Sequence, residues 1–237
     1  MSRLSESSEV SKITVIIPAL NEEKAIGRVV RSIPKEQLNK MGFSVQTLVI
    51  DNGSEDRTAE IARMSGAEVI FEPRRGYGRA YKAGFANAIG DLIATVDADM
   101  SYPANDIPKL AKLLIEEDLD FVTTNRFSYM DPDAMSLRNI IGNVILNLVT
   151  RLLYGIDLKD SQSGMWLFKR ALLDRLICKS DNMSFSQEIK LDAIYYNKCR
   201  WQEVPIRYRC RVGEQKLSGW SDGPRNLLAL FRKRIHR

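Results

Sequence analysis

The residues best suited to chemistry are Asp97 and Asp99, in Leu92-Ile93-Ala94-Thr95-Val96-Asp97-Ala98-Asp99. Leu92 to Val96 is a mostly apolar run that reads as a buried strand, and it runs directly into Asp-Ala-Asp. In an extended chain residues two apart share a face, so continued strand pitch puts both carboxylates on one side, about 7 Å apart at Cα. Two such charges at the end of a buried strand repel each other unless a cation lies between them. A hard divalent ion, Mg²⁺ or Mn²⁺, accepts oxygen ligands and keeps other positions for water or substrate phosphates. The plainer reading of the same residues is a polar turn leading into Tyr102-Pro103.

Other chemistries are narrowed by what the chain lacks. Its one histidine is His236, so His-ligated metals and a Ser-His-Asp triad have no source. The three cysteines, Cys178, Cys199 and Cys210, have neither Cys-x-x-Cys spacing nor an even count. That argues against a zinc site or a disulfide framework, and a reducing compartment is expected. Acid, base and ligand roles fall to carboxylates, Lys, Arg, Tyr and Cys. A net charge of +5 permits a phosphorylated substrate, an anionic membrane or a nucleic acid as partner and selects none of them.

The elements that must position Asp97 and Asp99 alternate. Ile13 to Pro18, Val45 to Ile50, Ala67 to Phe71 and the Asp97 segment read as strands. Between them Lys24 to Ile33, Arg57 to Met64 and Arg79 to Ile89 read as helices. Alternation at this spacing predicts βαβ units and a mostly parallel central sheet with flanking helices. Ligands of such sheets bind outside the carboxyl ends of the strands. Three polar clusters would then share one rim: Pro18-Ala19-Leu20-Asn21-Glu22, Asp51-Asn52-Gly53-Ser54 and Asp97-Ala98-Asp99.

Downstream, Asp106 to Glu117 reads as a helix and Phe121 to Phe127 as a strand ending beside Arg126. Leu137 to Leu153 is apolar, but Arg138, Asn139, Asn143, Asn147 and Arg151 interrupt it without forming one clean stripe. Either a buried helix with polar contacts or a helix lying in a membrane interface fits. A loop at Asp160 to Gly164 precedes a strand to Phe168. Ala171 to Leu176 and Ser186 to Tyr196 read as helices, and Trp201 to Tyr208 as an edge strand marked by Pro205. Arg209 to Trp220 reads as a basic loop, and Asn226 to Arg237 as a short basic amphipathic helix. Met1 to Val10 is polar, without the apolar stretch of a signal peptide. No uncharged apolar run reaches the length of about 20 residues that a membrane span needs.

Seven segments stand in an order that carries a resemblance: Ile17-Pro-Ala-Leu-Asn-Glu22, Val49-Ile-Asp-Asn-Gly-Ser-Glu-Asp-Arg-Thr58, Gly76-Tyr-Gly-Arg-Ala80, Asp97-Ala-Asp99, Asp160-Ser-Gln-Ser-Gly164, Phe185-Ser-Gln-Glu188 and Arg211-Val-Gly-Glu-Gln-Lys-Leu217. From Lys12 to about Trp220 the chain resembles the family 2 glycosyltransferases, which have the nucleotide-diphospho-sugar transferase (GT-A type) fold. The last three segments resemble the branch of dolichol-phosphate mannose synthases and polyprenol-phosphate glycosyltransferases.

The resemblance implies inverting transfer of a hexose from GDP-mannose or a UDP-sugar to a polyprenyl or dolichyl phosphate. It implies Mg²⁺ or Mn²⁺ on Asp97, Asp99 and Ser101, the last standing where the family often has Gln. Pro18, Leu20, Glu22, Ile50, Asp51 and Asp97 would bind the nucleotide, with Asn52 replacing a second Asp. Arg126, Arg138, Arg211 and Lys216 are the candidates for the acceptor phosphate, since guanidinium groups match phosphate geometry. Asp99, Arg126, Arg211 and Glu188 would carry catalysis, and Gln162 or Glu188 would position a sugar hydroxyl. A lipid phosphate needs no protein base. Transfer to a sugar hydroxyl, the alternative, would need one, from Asp160 or Glu188.

A sugar-phosphate nucleotidyltransferase would instead require a Gly-rich basic loop after the first strand. A binding module without catalysis would not need the acidic rim. The expected organisation is a flexible 1–11, one catalytic domain over 12–223 and a basic helix over 224–237. The expected location is the cytoplasmic face of a membrane, peripherally bound, without a nucleic-acid partner.

Overall fold

The computed structural model describes residues 11–213 and 219–235. Seven strands form one sheet: β1 (Ser11–Ala19), β2 (Phe43–Asp51), β3 (Glu68–Phe71), β4 (Leu92–Thr95), β5 (Phe121–Met130), β6 (Trp166–Lys169) and β7 (Trp201–Tyr208). Their order is β3-β2-β1-β4-β6-β5-β7. All neighbours run parallel except β6, which is antiparallel to both β4 and β5. β7 is an edge strand, where the missing N–H of Pro205 breaks no central ladder.

The helices are α1 (Ile26–Ser32), α2 (Lys35–Lys40), α3 (Thr58–Met64), α4 (Tyr77–Asn87), α5 (Ile107–Glu116), α6 (Leu137–Tyr154), α7 (Phe185–Leu191) and α8 (Gly219–Ile235). The pleat sorts them into two layers. Ile13, Val15, Ile17 and Val49 meet Val29 of α1, Leu38 of α2, Ala62 of α3 and Leu110 of α5. Ile16, Leu48 and Ile50 point the other way, to Tyr81 of α4, Leu146 of α6, Ile189 of α7 and Leu230 of α8. Helix α2 was not expected from the sequence; its only buried side chain is Leu38, too little for a periodic signal. Ala171 to Leu176 forms a short 3₁₀ segment (Arg170–Arg175), and Ser186 to Tyr196 is α7 followed by a π turn at Asp192–Tyr196.

Parallel pairing aligns the carboxyl ends. Ile16 lies opposite Thr95 and Ala19 opposite Asp51. The chain leaves β1 towards β2 on one side and β4 on the other, so the rim clusters gather where the strand order reverses.

The second half departs most from expectation. Helix α8 begins at Gly219, inside the segment read as a loop, so a boundary at 223 falls within a helix. Its inward face is Asn226, Leu230 and Lys233, all buried. The Tyr154 hydroxyl donates to the Leu230 carbonyl and the Tyr196 hydroxyl to the Lys233 carbonyl, both at 2.7 Å. Lys233 is not one of a surface spread of charges. Its ammonium lies 2.9 Å from Asp192 and 3.4 Å from Glu188, and donates to the Ile177 carbonyl at 2.6 Å. Arg237 and His236 lie outside the described residues.

Lys233→Met leaves Glu188 and Asp192 without their buried cation. It should destabilise the protein by about 3–5 kcal/mol, whereas Arg232→Ala on the exposed face should change stability by less than about 0.5 kcal/mol. Urea unfolding of the two variants measures the contrast.

Candidate active site

β4 ends at Thr95, and the chain turns at Ala98 and Asp99, with Met100 in the left-handed region at φ 68°. The continued pitch expected from sequence is therefore absent; a turn brings the carboxylates together instead. Asp99 Oδ1 accepts hydrogen bonds from the Ser101 amide at 2.9 Å and the Ser101 hydroxyl at 2.5 Å. Asp97 is half-buried. Desolvation, then the Asp99 charge beside it, pushes its pKa up to about 7, against the pull of Arg126 and Arg211. Gly164 faces this carboxylate: a Cβ there would come within 2.6 Å of the Tyr77 hydroxyl and 3.2 Å of Asp97 Oδ1. Only glycine fits so close to both.

The 209–213 strap is tied to this turn. The Arg209 amide donates to the Ser101 carbonyl at 3.0 Å, and the Val212 amide to the Asp99 carbonyl at 2.8 Å. Arg211 Nη2 then lies 3.0 Å from Glu22 Oε1, and Nη1 lies 3.6 Å from Asp99 Oδ2. Expected at the acceptor phosphate, Arg211 also stands directly on the acidic rim.

These oxygens fit a hard divalent cation. Asp97 and Asp99 are two carboxylates sharing one turn, with cationic Arg211 drawn to them. Among the described residues no group of three or more His, Cys, Asp or Glu is placed to hold a metal. An ion there would take one or two carboxylates and complete its shell from water and phosphate. The Ser101 hydroxyl donates to Asp99 and keeps its oxygen lone pairs, so it could join as a weak ligand.

Of the residues expected to bind a nucleotide, Pro18 and Leu20 are half-buried on the rim and Glu22 is buried against Arg211. Asp51 accepts from the Ser54 amide at 3.0 Å and so caps its turn. Ile50, expected among the same residues, faces away from the rim. Its side chain is fully buried on the α4 face of the sheet, beneath Gly84, because the pleat turns it away from Asp51. Asn52 has a structural reason to replace Asp: its amide nitrogen donates to the carbonyls of Glu72 and Arg74, at 3.1 and 2.9 Å. A carboxylate could not donate either bond.

Arg126 sits where the β5–β7 register shifts, between Asn125 and Tyr129. Irregularities of this kind re-aim side chains beside sites. Its Nε and Nη2 donate to the two oxygens of Asp160 at 2.7 and 2.8 Å, and its amide to Oδ2 at 3.0 Å. Its guanidinium lies 5.4 Å from the Tyr208 ring centre. Burial alone would lower the Arg126 pKa and raise that of Asp160. The pair reverses both, holding Arg126 well above and Asp160 below their ordinary values.

Behind the pair, fully buried Lys190 donates to the Asp160 carbonyl at 2.9 Å. Burial pushes its pKa down to about 7, against the pull of Asp160. Glu203 accepts from the amides of Lys159 and Asp160 at 3.0 and 2.8 Å. Sequence reading missed Lys190, Tyr208 and Glu203, which carry no spacing signal because α7 supplies the first and β7, distant in the chain from Asp160, the other two. Asn143 and Asn147, read only as interruptions of an apolar run, lie four apart on α6 and face inward, to Arg126 and to the Ser161 amide.

Arg126, exposed Arg138, Arg211, Gln162 and Tyr208 line one cleft of about 710 Å³, with Leu137, Ile141 and Ile145 on its lip. Lys216 lies outside the described residues. Glu188 is not brought to this cleft. Its oxygens accept from the Lys179 and Ser180 amides at 3.0 and 2.8 Å and face Lys233, in the neighbouring cavity between the 179–184 loop and α8. The catalytic role expected of it is replaced by a structural one. Gln162 instead joins α8 to the cleft, accepting from Asn226 at 3.3 Å and donating to Gln187 at 2.5 Å.

Residues 14–177 match the model of glycosyl transferase family 2. The chain is 34% identical over 227 residues to the low-salt glycan biosynthesis hexosyltransferase Agl6 of Haloferax volcanii, an alignment covering 94% of this chain and 54% of that protein. It thus spans about half the length of that relative. It is 32% identical over 213 residues to the dolichyl-phosphate hexose transferase of the same organism, covering 89% of each. In fold it is similar to glucosyl-3-phosphoglycerate synthase from Mycobacterium tuberculosis, solved with Mn²⁺, UDP and phosphoglyceric acid. The TM-score is 0.75 at 22% identity, over 95% of this chain and 79% of that one.

The raised pKa of Asp97 has a stability consequence. Between about 3.8, its unfolded value, and about 7 the folded state binds the extra proton, so this group's contribution falls as pH rises through that window. In EDTA, Asp97→Asn should unfold later than the wild type at pH 7.5, by about 1–3 kcal/mol, and the margin should shrink towards pH 4. Denaturant titrations at both pH values measure it.

Proposed function

The chain belongs to glycosyl transferase family 2, and from that membership we propose that it transfers a hexose from a nucleotide diphosphate sugar to a polyprenyl or dolichyl phosphate, inverting the anomeric centre. The observation that carries the acceptor class is the cleft. Arg126, Arg138 and Arg211 line it together with apolar Leu137, Ile141 and Ile145. Arg211 connects it to the Asp99–Glu22 rim at 3.6 and 3.0 Å. Guanidinium groups beside an apolar lip suit a phosphate that carries a hydrocarbon chain. The relative named dolichyl-phosphate hexose transferase, alike over 89% of this chain, supports the same class.

A phosphate monoester has its second pKa near 6, so at neutral pH it is already a nucleophile. One of its oxygens forms the new bond to the anomeric carbon. The bond from that carbon to the donor's β-phosphate oxygen breaks, and the electron pair leaves with the nucleoside diphosphate. No proton has to be removed by the protein. Its part is to position the reactants and to place cations where negative charge gathers. Arg126, held rigid by Asp160, and Arg138 bind the acceptor phosphate, and Arg211 stands between the two substrates. Glu22, Asp51 and the Pro18–Leu20 segment border the nucleotide. Asp97 and Asp99 would hold Mg²⁺ or Mn²⁺, which supplies charge neutralisation of the diphosphate when bound.

Transfer to a sugar hydroxyl fits less well. Both carboxylates available as its base are committed, Asp160 to Arg126 and Glu188 to Lys233 and two amides. The donor is a GDP- or UDP-linked hexose. Among the described residues no helix is long and apolar enough to cross a membrane, so an acceptor of this kind is met at the membrane surface. The proposed location is its cytoplasmic face.

Incubation with labelled GDP-mannose, UDP-glucose or UDP-N-acetylhexosamine and a polyprenyl phosphate tests the reading; product with none of them would overturn it. Arg138→Ala should raise the KM for polyprenyl phosphate about tenfold or more, with nucleotide-sugar binding unchanged, as loss of one hydrogen bond to a charged group implies. Asp99→Ala should lower kcat about 100-fold or more while keeping the native fold by circular dichroism. Full activity of Asp99→Ala in EDTA would eliminate the metal.

A further inference from the structure

Helix α6 is amphipathic in the opposite sense to an ordinary surface helix. Its polar row faces the protein: Asn143 donates to the Asn139 carbonyl and accepts from Arg126, while Asn147 bonds to the Lys159 carbonyl and the Ser161 amide. Leu146, Thr150 and Tyr154 are buried beside this row. Its apolar row faces out. Leu137 is 72% exposed, Ile141 53%, Val144 55%, Ile145 49%, Leu148 56% and Leu152 75%. Steps of three and four residues keep these six on one side of the helix, along about 22 Å. Burying them inside the molecule would have recovered the hydrophobic free energy that their exposure forgoes. Soluble surfaces seldom carry so continuous an apolar face unless something covers it.

Charge narrows what covers it. Among its 18 residues α6 has no Asp or Glu, and Arg138 and Arg151 stand near its two ends. On α8, packed alongside, Leu228, Phe231 and Ile235 are also exposed, next to exposed Arg225, Arg232 and Arg234. A second copy meeting this face symmetrically would set arginine against arginine. An anionic lipid surface accepts both the apolar row and the cations. Position points the same way, because Leu137, Arg138, Ile141 and Ile145 belong at once to the exposed row and to the lip of the arginine cleft.

We infer that the outward face of α6 seats the protein on an anionic bilayer, with the mouth of the Arg126–Arg138–Arg211 cleft opening at the lipid surface. An acceptor phosphate then enters the cleft while its hydrocarbon chain stays in the membrane. This rests on the polyprenyl-phosphate reading for its substrate, though the surface itself is argued from exposure and charge.

Leu148 and Leu152 lie on the exposed row outside the cleft. Leu148→Glu/Leu152→Glu should lower partition onto phosphatidylcholine vesicles containing phosphatidylglycerol about tenfold or more. Transfer to polyprenyl phosphate in those vesicles should fall in parallel. Transfer to a short, water-soluble prenyl phosphate should stay at the wild-type rate. Leu148→Ser/Leu152→Ser, without the added charge, should fall between. Vesicle partition unchanged in both double variants would overturn the docking surface. So would conversion of a wild-type dimer to monomer, seen by analytical ultracentrifugation with no change in partition, since the face would then join two copies. If partition falls as expected but neither wild type nor variant transfers sugar to any prenyl phosphate, the reaction reading fails and the docking surface stands.

Discussion

The cleft depends on one buried ion pair. Asp160 is fully buried and holds Arg126 by two side-chain bonds and one backbone bond. Such a pair seldom adds net stability over an apolar substitute, because both ions must be desolvated. Its geometric effect is large. Two anchored nitrogens fix the plane of the guanidinium, and the register shift in β5 fixes where it points. Lys190 and Glu203 hold the Asp160 backbone in turn, so the loop before β6 is bound from three sides. A long, flexible cation thereby becomes a fixed one, as preorganised charge stabilisation requires.

The acidic rim is balanced differently. Asp97, Asp99 and Glu22 are collected at the carboxyl ends of β1 and β4, and desolvation, then repulsion from Asp99 and Glu22, raises the pKa of Asp97. Arg211 offsets part of it from a strap held to the turn by two backbone bonds. A donor diphosphate with a divalent ion would bring its own charges to these same oxygens. In the proposed reaction Arg211 and the rim are therefore coupled: a bound donor changes what Arg211 has to neutralise. Arg126 has its own buried counterion in Asp160, and its charge also acts on Asp97.

Helices α6 and α8 complete the second core without hiding all of their apolar surface. Leu146, Tyr154, Leu230 and Lys233 anchor them inward, while leucines and isoleucines face out. Lys233 shows why a basic helix cannot be read as uniformly solvated. One of its cations is a buried link to α7 and the π turn, while Arg225 and Arg232 are exposed.

The local pattern of the sequence determined the alternating strands and helices of the first half, the shared rim of Pro18–Glu22, Asp51–Ser54 and Asp97–Asp99, and the glycosyltransferase family. These follow from periodicity, from parallel topology and from short segments that keep their order. The tertiary structure alone decided the rest. A turn, not strand pitch, joined Asp97 to Asp99. The pleat turned Ile50 away from the rim. Burial against Lys233 moved Glu188 from a catalytic to a structural role, and Arg126 removed Asp160 as a base. The polar row of α6 turned inward although no clean stripe was legible, because its partners, Arg126 and the 159–161 loop, come from other elements. Periodicity records only which residues on a helix share a face. Which face is inward depends on what stands opposite, and for a charged group on whether its counterion is 30 or 100 residues away in the chain, a relation that no local pattern encodes.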